Sequence, residues 1–395
     1  MTSIVYLTRN GLLEPLGQSQ VLAYLRGLSR DYRITLITYE KDEDRADAAR
    51  MARAQAECEA LGIRWLPQRF RPRPKLVAPA LSMLRMIWLV LREVRRRNIQ
   101  LVHARSYLPA AVAWVVWKLT RVPFIFDMRA LWPEELITAG RLRRGSIVHR
   151  GIAAAERKCL RDAAAVVSLT HAAVDHLRKV YPDELADQRI VVIPTCADLD
   201  RFVPAKIRPD ALVIGCMGTL LSGWFRIDWL AAFLREAARR HSEARFVITT
   251  RDDPARVREA LGLESEIMER VEIGAATSEE VPAILQQQTT SVMFFAQGLA
   301  KLGSSPTRMG EVLGCGIPVV ANEGVGDVAR IITTHNVGVL VRSGASDEMS
   351  EAWSSLMRLL EDPQLAFRCR AAAEKVFSLD YGTEAYKQLY RSVLA

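Results

Sequence analysis

The stretch Lys301-Leu302-Gly303-Ser304-Ser305-Pro306-Thr307-Arg308-Met309-Gly310-Glu311 holds the residues best suited to chemistry. Ser305 followed by Pro306 has the residue types favoured at a helix cap and first helical position. The spacing therefore predicts a helix running to Gly314 or Gly316 and feeding a strand over Ile317–Ala321. The start of such a helix offers N–H groups without intrahelical partners and the positive end of its dipole, both of which stabilise a diphosphate. Thr307 lies in that first turn, and Arg308 adds a planar guanidinium that can grip phosphate with two hydrogen bonds. Glu311, three residues on, shares the face of Arg308 and could accept hydrogen bonds from the vicinal hydroxyls of a ribose. The plainer alternative is a surface Arg–Glu pair on an ordinary helix.

Three further loops carry polar residues in suggestive places. Arg9 to Gln20 follows a first apolar run and contains Gly11, Gly17 and Gln18, ahead of a helix that Ser19 could cap. Glycines there let backbone N–H groups approach an anion, although the spacing is not that of a dinucleotide-binding loop. After Phe124-Ile125-Phe126 comes Asp127-Met128-Arg129-Ala130-Leu131-Trp132. Asp127 could orient a hydroxyl or assist proton transfer, or equally form an ion pair with Arg129. Asn322-Glu323-Gly324-Val325-Gly326 makes another glycine-rich turn after a strand.

The elements that must position these loops alternate in a regular way. Short β-branched runs are expected as strands at 4–7, 34–38, 101–104, 124–127, 165–169 and 191–194, and again at 213–217, 245–249, 271–273, 291–295, 317–321 and 339–341. Amphipathic segments such as 19–29, 44–61, 80–97 and 228–240 lie between them. That order predicts βαβ units and two parallel, doubly wound domains, with a boundary in the Pro-containing stretch 202–210. In such sheets ligands bind beyond the carboxyl ends of the strands, where these loops fall.

Composition restricts the options further. Of 395 residues 50% are hydrophobic and 25% charged, which excludes a disordered or fibrous chain. The net charge of +9 is concentrated in residues 51–150, with 19 basic against 6 acidic side chains. Arg69, Arg71, Arg73 and Lys75 precede the apolar segment 76–91, Arg92, Arg95, Arg96 and Arg97 follow it, and Arg141, Arg143, Arg144 and Arg150 form a second cluster. A basic amphipathic surface of this kind suits an anionic membrane; the alternative is a core helix with a solvated charged end. No nucleic-acid-binding motif accompanies the charge. The six cysteines and six histidines lack ligand spacings, so no metal and no other cofactor is expected. The longest apolar runs fall short of a bilayer span and no leader is evident, so a cytoplasmic protein, peripheral on the inner face of the membrane, is expected.

Glu311-Val312-Leu313-Gly314-Cys315-Gly316-Ile317-Pro318-Val319-Val320-Ala321 resembles the E-A-x-A-x-G-x-P-V-V-A signature of family-4 retaining glycosyltransferases, of the GT-B fold. Ile193-Pro194-Thr195-Cys196-Ala197-Asp198 with Phe202 is similar to that family's I-P-N-G-V-D…F segment, and the pattern S-S-P-T-R-x-x-E matches a divergent subgroup. The resemblance implies an α/β chain of two Rossmann-like domains facing a cleft: an acceptor domain over 1–202, a nucleotide-sugar domain over 203–376, and a C-terminal helix over 377–395 returning to the first. It implies metal-independent, retaining transfer from a nucleotide diphosphosugar, a UDP-sugar by preference, to a glycan or polyprenyl-linked acceptor in polysaccharide or glycolipid assembly. Gly218, Thr219, Arg226, Ser305, Thr307, Arg308 and Glu311 then fall to the donor nucleotide and diphosphate. Gly11, Gly17 and Gln18 form the acceptor or diphosphate loop, and Asp127, Arg129 and Lys301 are the catalytic candidates.

There are departures. Gly303 stands where the first glutamate of the E-x7-E motif is expected, and Thr219 and Trp224 replace two phosphate-binding cations, leaving Lys301, Arg308 and Arg226 to supply charge. These departures leave two alternatives: a catalytically degenerate nucleotide- or glycan-binding protein, or a nucleotide-sugar epimerase.

Overall fold

The computed structural model describes residues 1–70, 77–207 and 211–395. The chain divides into two compact units, Met1–Pro194 together with Gly382–Ala395, and Thr195–Tyr381. Residues 195–202, expected with the first domain, pack with the second unit, because Thr195 bonds to Ser305 and the Ala197 N–H donates to Phe377 O.

The first unit holds seven strands: β1 Thr2–Thr8, β2 Tyr32–Glu40, β3 Arg64–Arg69, β4 Leu101–Arg105, β5 Phe124–Asp127, β6 Ala165–Ser168 and β7 Ile190–Val192. They pair in parallel in the order β3-β2-β1-β4-β5-β6-β7. β1 is central and apolar on both faces, with Ile4, Val5, Tyr6 and Leu7 buried, as a parallel strand covered by helices requires. The seventh strand, β3, escapes the sequence reading because it mixes arginines with Pro67. It lies at the edge of the sheet, where a missing N–H costs least.

The second unit holds β8 Val213–Met217, β9 Arg245–Thr249, β10 Val271–Gly274, β11 Thr290–Met293, β12 Val319–Asn322 and β13 Gly338–Val341. Their order is β10-β9-β8-β11-β12-β13, again all parallel. Two buried clusters cover its faces: Val292 and Val320 point into one with Phe233 and Trp353, and Met293, Val319 and Ala321 into the other with Met309 and Phe377. In both units the chain winds outward from the first strand and then returns to build the other half. The switch falls between β1 and β4 in one sheet and between β8 and β11 in the other. A crevice opens at the carboxyl edge at such a point, because the adjoining loops diverge to opposite faces.

Close approach of backbones makes one glycine indispensable. A Cβ on Gly338 would lie 2.1 Å from Val319 O across the β12–β13 pair. Gly338→Ala should therefore destabilise the second unit by about 1–3 kcal/mol, lowering its melting temperature by roughly 2–10 °C in a calorimetric scan.

Candidate functional site

In the second unit the switch-point loops bring together much of the predicted donor set. β8 is followed by Gly218, whose φ of +152° favours glycine. The Arg308 guanidinium lies 3.9 Å from where a Cβ on Gly218 would be. Arg308 projects from a helix over Thr307–Gly314, which starts one residue later than the Ser305 cap predicts. Ser305 does not cap it: its Oγ accepts the Thr195 N–H at 3.2 Å, and its carbonyl accepts from Thr195 Oγ1 at 2.5 Å. No side chain caps the start of this helix, so its first N–H groups keep their capacity to bind an anion.

Glu311 lies one turn on and is largely buried. Among the described residues neither Arg308 nor Glu311 makes a side-chain hydrogen bond or an ion pair, so the surface-pair alternative is not the arrangement found. Burial raises the Glu311 pKa, and the more distant Arg308 and Arg201 only partly oppose it. A half-buried carboxylate and a guanidinium thus flank a helix start with their hydrogen-bonding capacity unfilled.

Lys301 stands between β11 and this helix, with its ammonium 4.5 Å above the Trp224 ring and 5.6 Å from that of Phe295. Trp224, in the place of an expected cation, therefore holds a lysine brought from another loop by cation–π attraction. The other predicted residues are differently placed. Arg226 is fastened to Asp228 by two hydrogen bonds of 2.9 and 2.6 Å and lies over Trp229, so its charge is already matched. Thr219 is exposed, and the neighbouring N–H groups of Leu220 and Leu221 donate to Asp252 Oδ2 at 2.6 and 3.0 Å. Asn322 braces the far side, exchanging hydrogen bonds with the backbone of Phe295.

In the first unit the glycine loop has a different occupant from the one expected. The N–H groups of Leu12 and Leu13 donate to the buried Glu40 carboxylate at 2.7 and 3.3 Å. A Cβ on Gly11 would meet Glu40 Oε2 at 2.6 Å, and one on Gly17 would meet Gly11 O at 2.1 Å. These glycines let the loop fold onto itself and onto Glu40, and those amides are not offered to a ligand. Gln18 donates to Leu12 O at 2.8 Å, and Ser19 bonds back to Pro15 O instead of capping. The helix there contains one wide turn, with the Ala23 N–H reaching Gln18 O, and Gln20 on that turn accepts from Arg129 at 3.4 Å.

Asp127 is fully buried at the end of β5. Its Oδ2 accepts from Tyr386 OH at 3.0 Å and from His103 Nε2 at 3.2 Å. Because a carboxylate only accepts, His103 carries its proton on Nε2 and receives Tyr390 OH on Nδ1 at 2.7 Å. Arg129 and Arg105 place Nη1 atoms 3.6 and 3.7 Å from the carboxylate. Burial alone would raise the pKa of Asp127, but Arg129, the His103 hydrogen bond and Arg105 outweigh it and bring it down to about 2. His103 is pushed down by burial and stays neutral at pH 7. The Asp127–Arg129 ion pair left open by the sequence is thus present.

Two guanidiniums face one carboxylate, so this interior carries an excess positive charge. Arg129 Nε and Arg105 Nη1 lack hydrogen-bond partners, and Arg129 has a left-handed φ of 62°. Such strain, of order 1–3 kcal/mol, persists where surroundings impose it.

Sequence reasoning missed His103, Arg105, Glu40, Asp252, Tyr386 and Tyr390. Glu40 and Arg105 end strands and Asp252 follows one closely, a position that could have drawn attention, whereas His103 lies in the middle of β4. The two tyrosines, four apart on the last helix, showed only a shared face. Among the described residues no group of three His, Cys, Asp or Glu side chains is placed to hold a metal ion. Asp127→Asn should cost roughly 2–5 kcal/mol at pH 7, because it leaves both guanidiniums uncompensated. An acid whose pKa is depressed on folding stabilises above its unfolded pKa, so the gap between wild type and variant should close as pH falls from about 4 towards 2. Denaturant titrations at several pH values measure this.

Residues 17–201 match the Glycosyltransferase Family 4 domain and residues 211–359 the Glycosyl transferases group 1 domain. No curated protein matches the chain in sequence. Among solved structures, sucrose-phosphate synthase from Thermosynechococcus elongatus superposes with a TM-score of 0.70 at 16% identity, covering 100% of this chain and 99% of that one. Anabaena HepE in complex with UDP and glucose gives 0.66 at 16%, covering 99% and 100%. The lipopolysaccharide outer core galactosyltransferase WaaB gives 0.69 at 14%, covering 99% of each. With two parallel Rossmann-like sheets, both domains matched and this likeness in fold, the chain belongs to the family-4 glycosyltransferases of the GT-B fold.

Proposed function

We propose that the protein transfers a sugar, with retention at the anomeric carbon, from a nucleotide diphosphosugar to a glycan or polyprenyl-linked saccharide in polysaccharide or glycolipid assembly. The observation that carries this is the pair Arg308 and Glu311, both without partners, beside a helix start that no side chain caps. In this reading the N–H groups of that helix, Arg308 and Lys301 hold the diphosphate, and Glu311 accepts the ribose hydroxyls. The bond from the anomeric carbon to the phosphate oxygen breaks as that to the acceptor oxygen forms on the same face. The acceptor proton passes to the departing phosphate. Charge developing on the leaving diphosphate meets fixed cations and oriented N–H groups, which need little reorganisation. No metal is called for in this scheme.

The acceptor is assigned to the first unit. There the unfilled donors of Arg105 and Arg129 suit an oxygen-rich or anionic group, and Asp127 holds both in place. UDP is the preferred nucleotide, a choice supported by the likeness to HepE, whose structures contain UDP. Gly303 favours a second reading: it closes a short helix without offering a carboxylate to the donor sugar, as a nucleotide-binding protein without transferase activity would allow. Hydrolysis or transfer across a panel of donors separates the two, and an epimerase would act without acceptor.

A thermal-shift series with UDP, GDP, ADP and CMP tests the nucleotide. Arg308→Ala and Glu311→Ala should each weaken the preferred diphosphate at least about tenfold; unchanged affinity in both would overturn the assignment. Glu311 must be ionised to accept two hydroxyls, and its pKa is raised. Affinity should therefore begin to fall, as pH is lowered, above the ordinary carboxylate range, and Glu311→Gln should flatten that profile.

A further inference from the structure

The helix Val77–Arg97 buries only one side. Met86, Leu89, Val90 and Glu93 face the interior of the first unit. Leu81, Leu84 and Trp88 lie on the other side, 59%, 63% and 58% exposed. At about 100° per residue, Arg85, Arg92, Arg95 and Arg96 fall on that same outward face. Apolar side chains therefore occupy its first half and arginines its second. Arg92 covers the Trp88 ring at 5.0 Å and pairs with Glu93. Among the described residues Arg85, Arg95 and Arg96 have no carboxylate partner. Arg71, Arg73 and Lys75, counted above with this cluster, lie outside the described residues.

A second exposed apolar pair lies two helices along in the same layer. The helix packs on Tyr107–Thr120, which packs on Ile147–Asp162, and all three begin at the carboxyl edge of the sheet because each precedes the next parallel strand. Ile147 and Val148, 80% and 63% exposed, open the third helix among the exposed Arg141, Arg143 and Arg150. The outward side of one helical layer thus presents two apolar tips at its carboxyl edge, with Arg85 beside the first, Arg141, Arg143 and Arg150 around the second, and Arg95 and Arg96 further along the first helix.

We infer that this outward face docks on an anionic lipid surface, with Leu81, Leu84, Trp88, Ile147 and Val148 in the headgroup–acyl boundary and the arginines against lipid phosphates. Charge complementarity selects the partner. An outward face that sets exposed apolar side chains beside basic ones suits the headgroup–acyl boundary, and clustered arginines are drawn to negative headgroups. An RNA would leave the leucines and isoleucine in water. No helix of the described residues is long and apolar enough to cross a membrane, so the contact is peripheral. The inference does not depend on sugar transfer.

The test is co-sedimentation of the full-length protein with phosphatidylcholine vesicles, with and without phosphatidylglycerol, at low and high salt. Wild type should bind only the phosphatidylglycerol vesicles and release in high salt. Leu81→Ser/Leu84→Ser/Trp88→Ser should lose at least about tenfold in partition coefficient, and Arg95→Ala or Arg96→Ala about fivefold each. These positions are exposed, so melting temperatures should stay unchanged. Equal binding by the triple variant, or indifference of wild type to phosphatidylglycerol, overturns the proposal. So does retention on RNA without vesicle binding, or a wild-type dimer that the triple variant converts to monomer.

Discussion

A parallel strand that ends above a sheet and turns into a helix leaves backbone N–H groups with nothing in the ladder to receive them. Several loops at the carboxyl edge of these two sheets answer that constraint with a side chain of the protein's own. Glu40 receives the amides of Leu12 and Leu13, Asp252 those of Leu220 and Leu221, and Asn322 the amide of Phe295. Each uses an oxygen of the protein's own, so the loop closes and becomes scaffold. The start of the helix Thr307–Gly314 is one of several that no side chain caps. Beside it, among the described residues, Arg308 and Glu311 also make no side-chain hydrogen bond or ion pair, and donors left unmet in a buried setting are costly.

The same accounting explains the charged interior of the first unit. Asp127 is enclosed with two guanidiniums, a neutral histidine and two tyrosines. Removing Asp127 leaves both guanidiniums without compensation, and the network that holds it is closed by residues from β4, β5 and the last helix together. Tyr386 and Tyr390 come from the segment that re-enters the first unit after the second is complete. The charge network of the first unit is thus finished only when the helix Leu379–Leu394 is in place.

In the second unit the departures from the family's pattern have a physical consequence. Trp224 and Thr219 carry no charge, yet positive charge is restored from elsewhere, with Lys301 held over Trp224 and Arg308 placed beside Gly218. An ammonium over an indole is attracted by the ring's negative face, which restrains its position.

Alternation of β-branched runs with amphipathic segments was enough to determine two parallel α/β domains and twelve of the thirteen strands, because buried parallel strands must be apolar throughout. Only the edge strand Arg64–Arg69, half solvated and containing Pro67, lacked that signal. The run Arg308 to Ala321 likewise carried the face shared by Arg308 and Glu311, since residues three apart on a helix must be neighbours. The identity of each loop's partner was not determined locally. Glu40 lies 28 positions from Leu12, Asp127 lies 259 from Tyr386, and Thr195 lies 110 from Ser305. Which carboxylate meets which amide is decided by strand order and helix return. The roles of Gly11 and Gly17 as close-packing residues, of Asp127 as an interior anchor, and of Leu81, Leu84 and Trp88 as an outward face therefore emerged only from the tertiary structure.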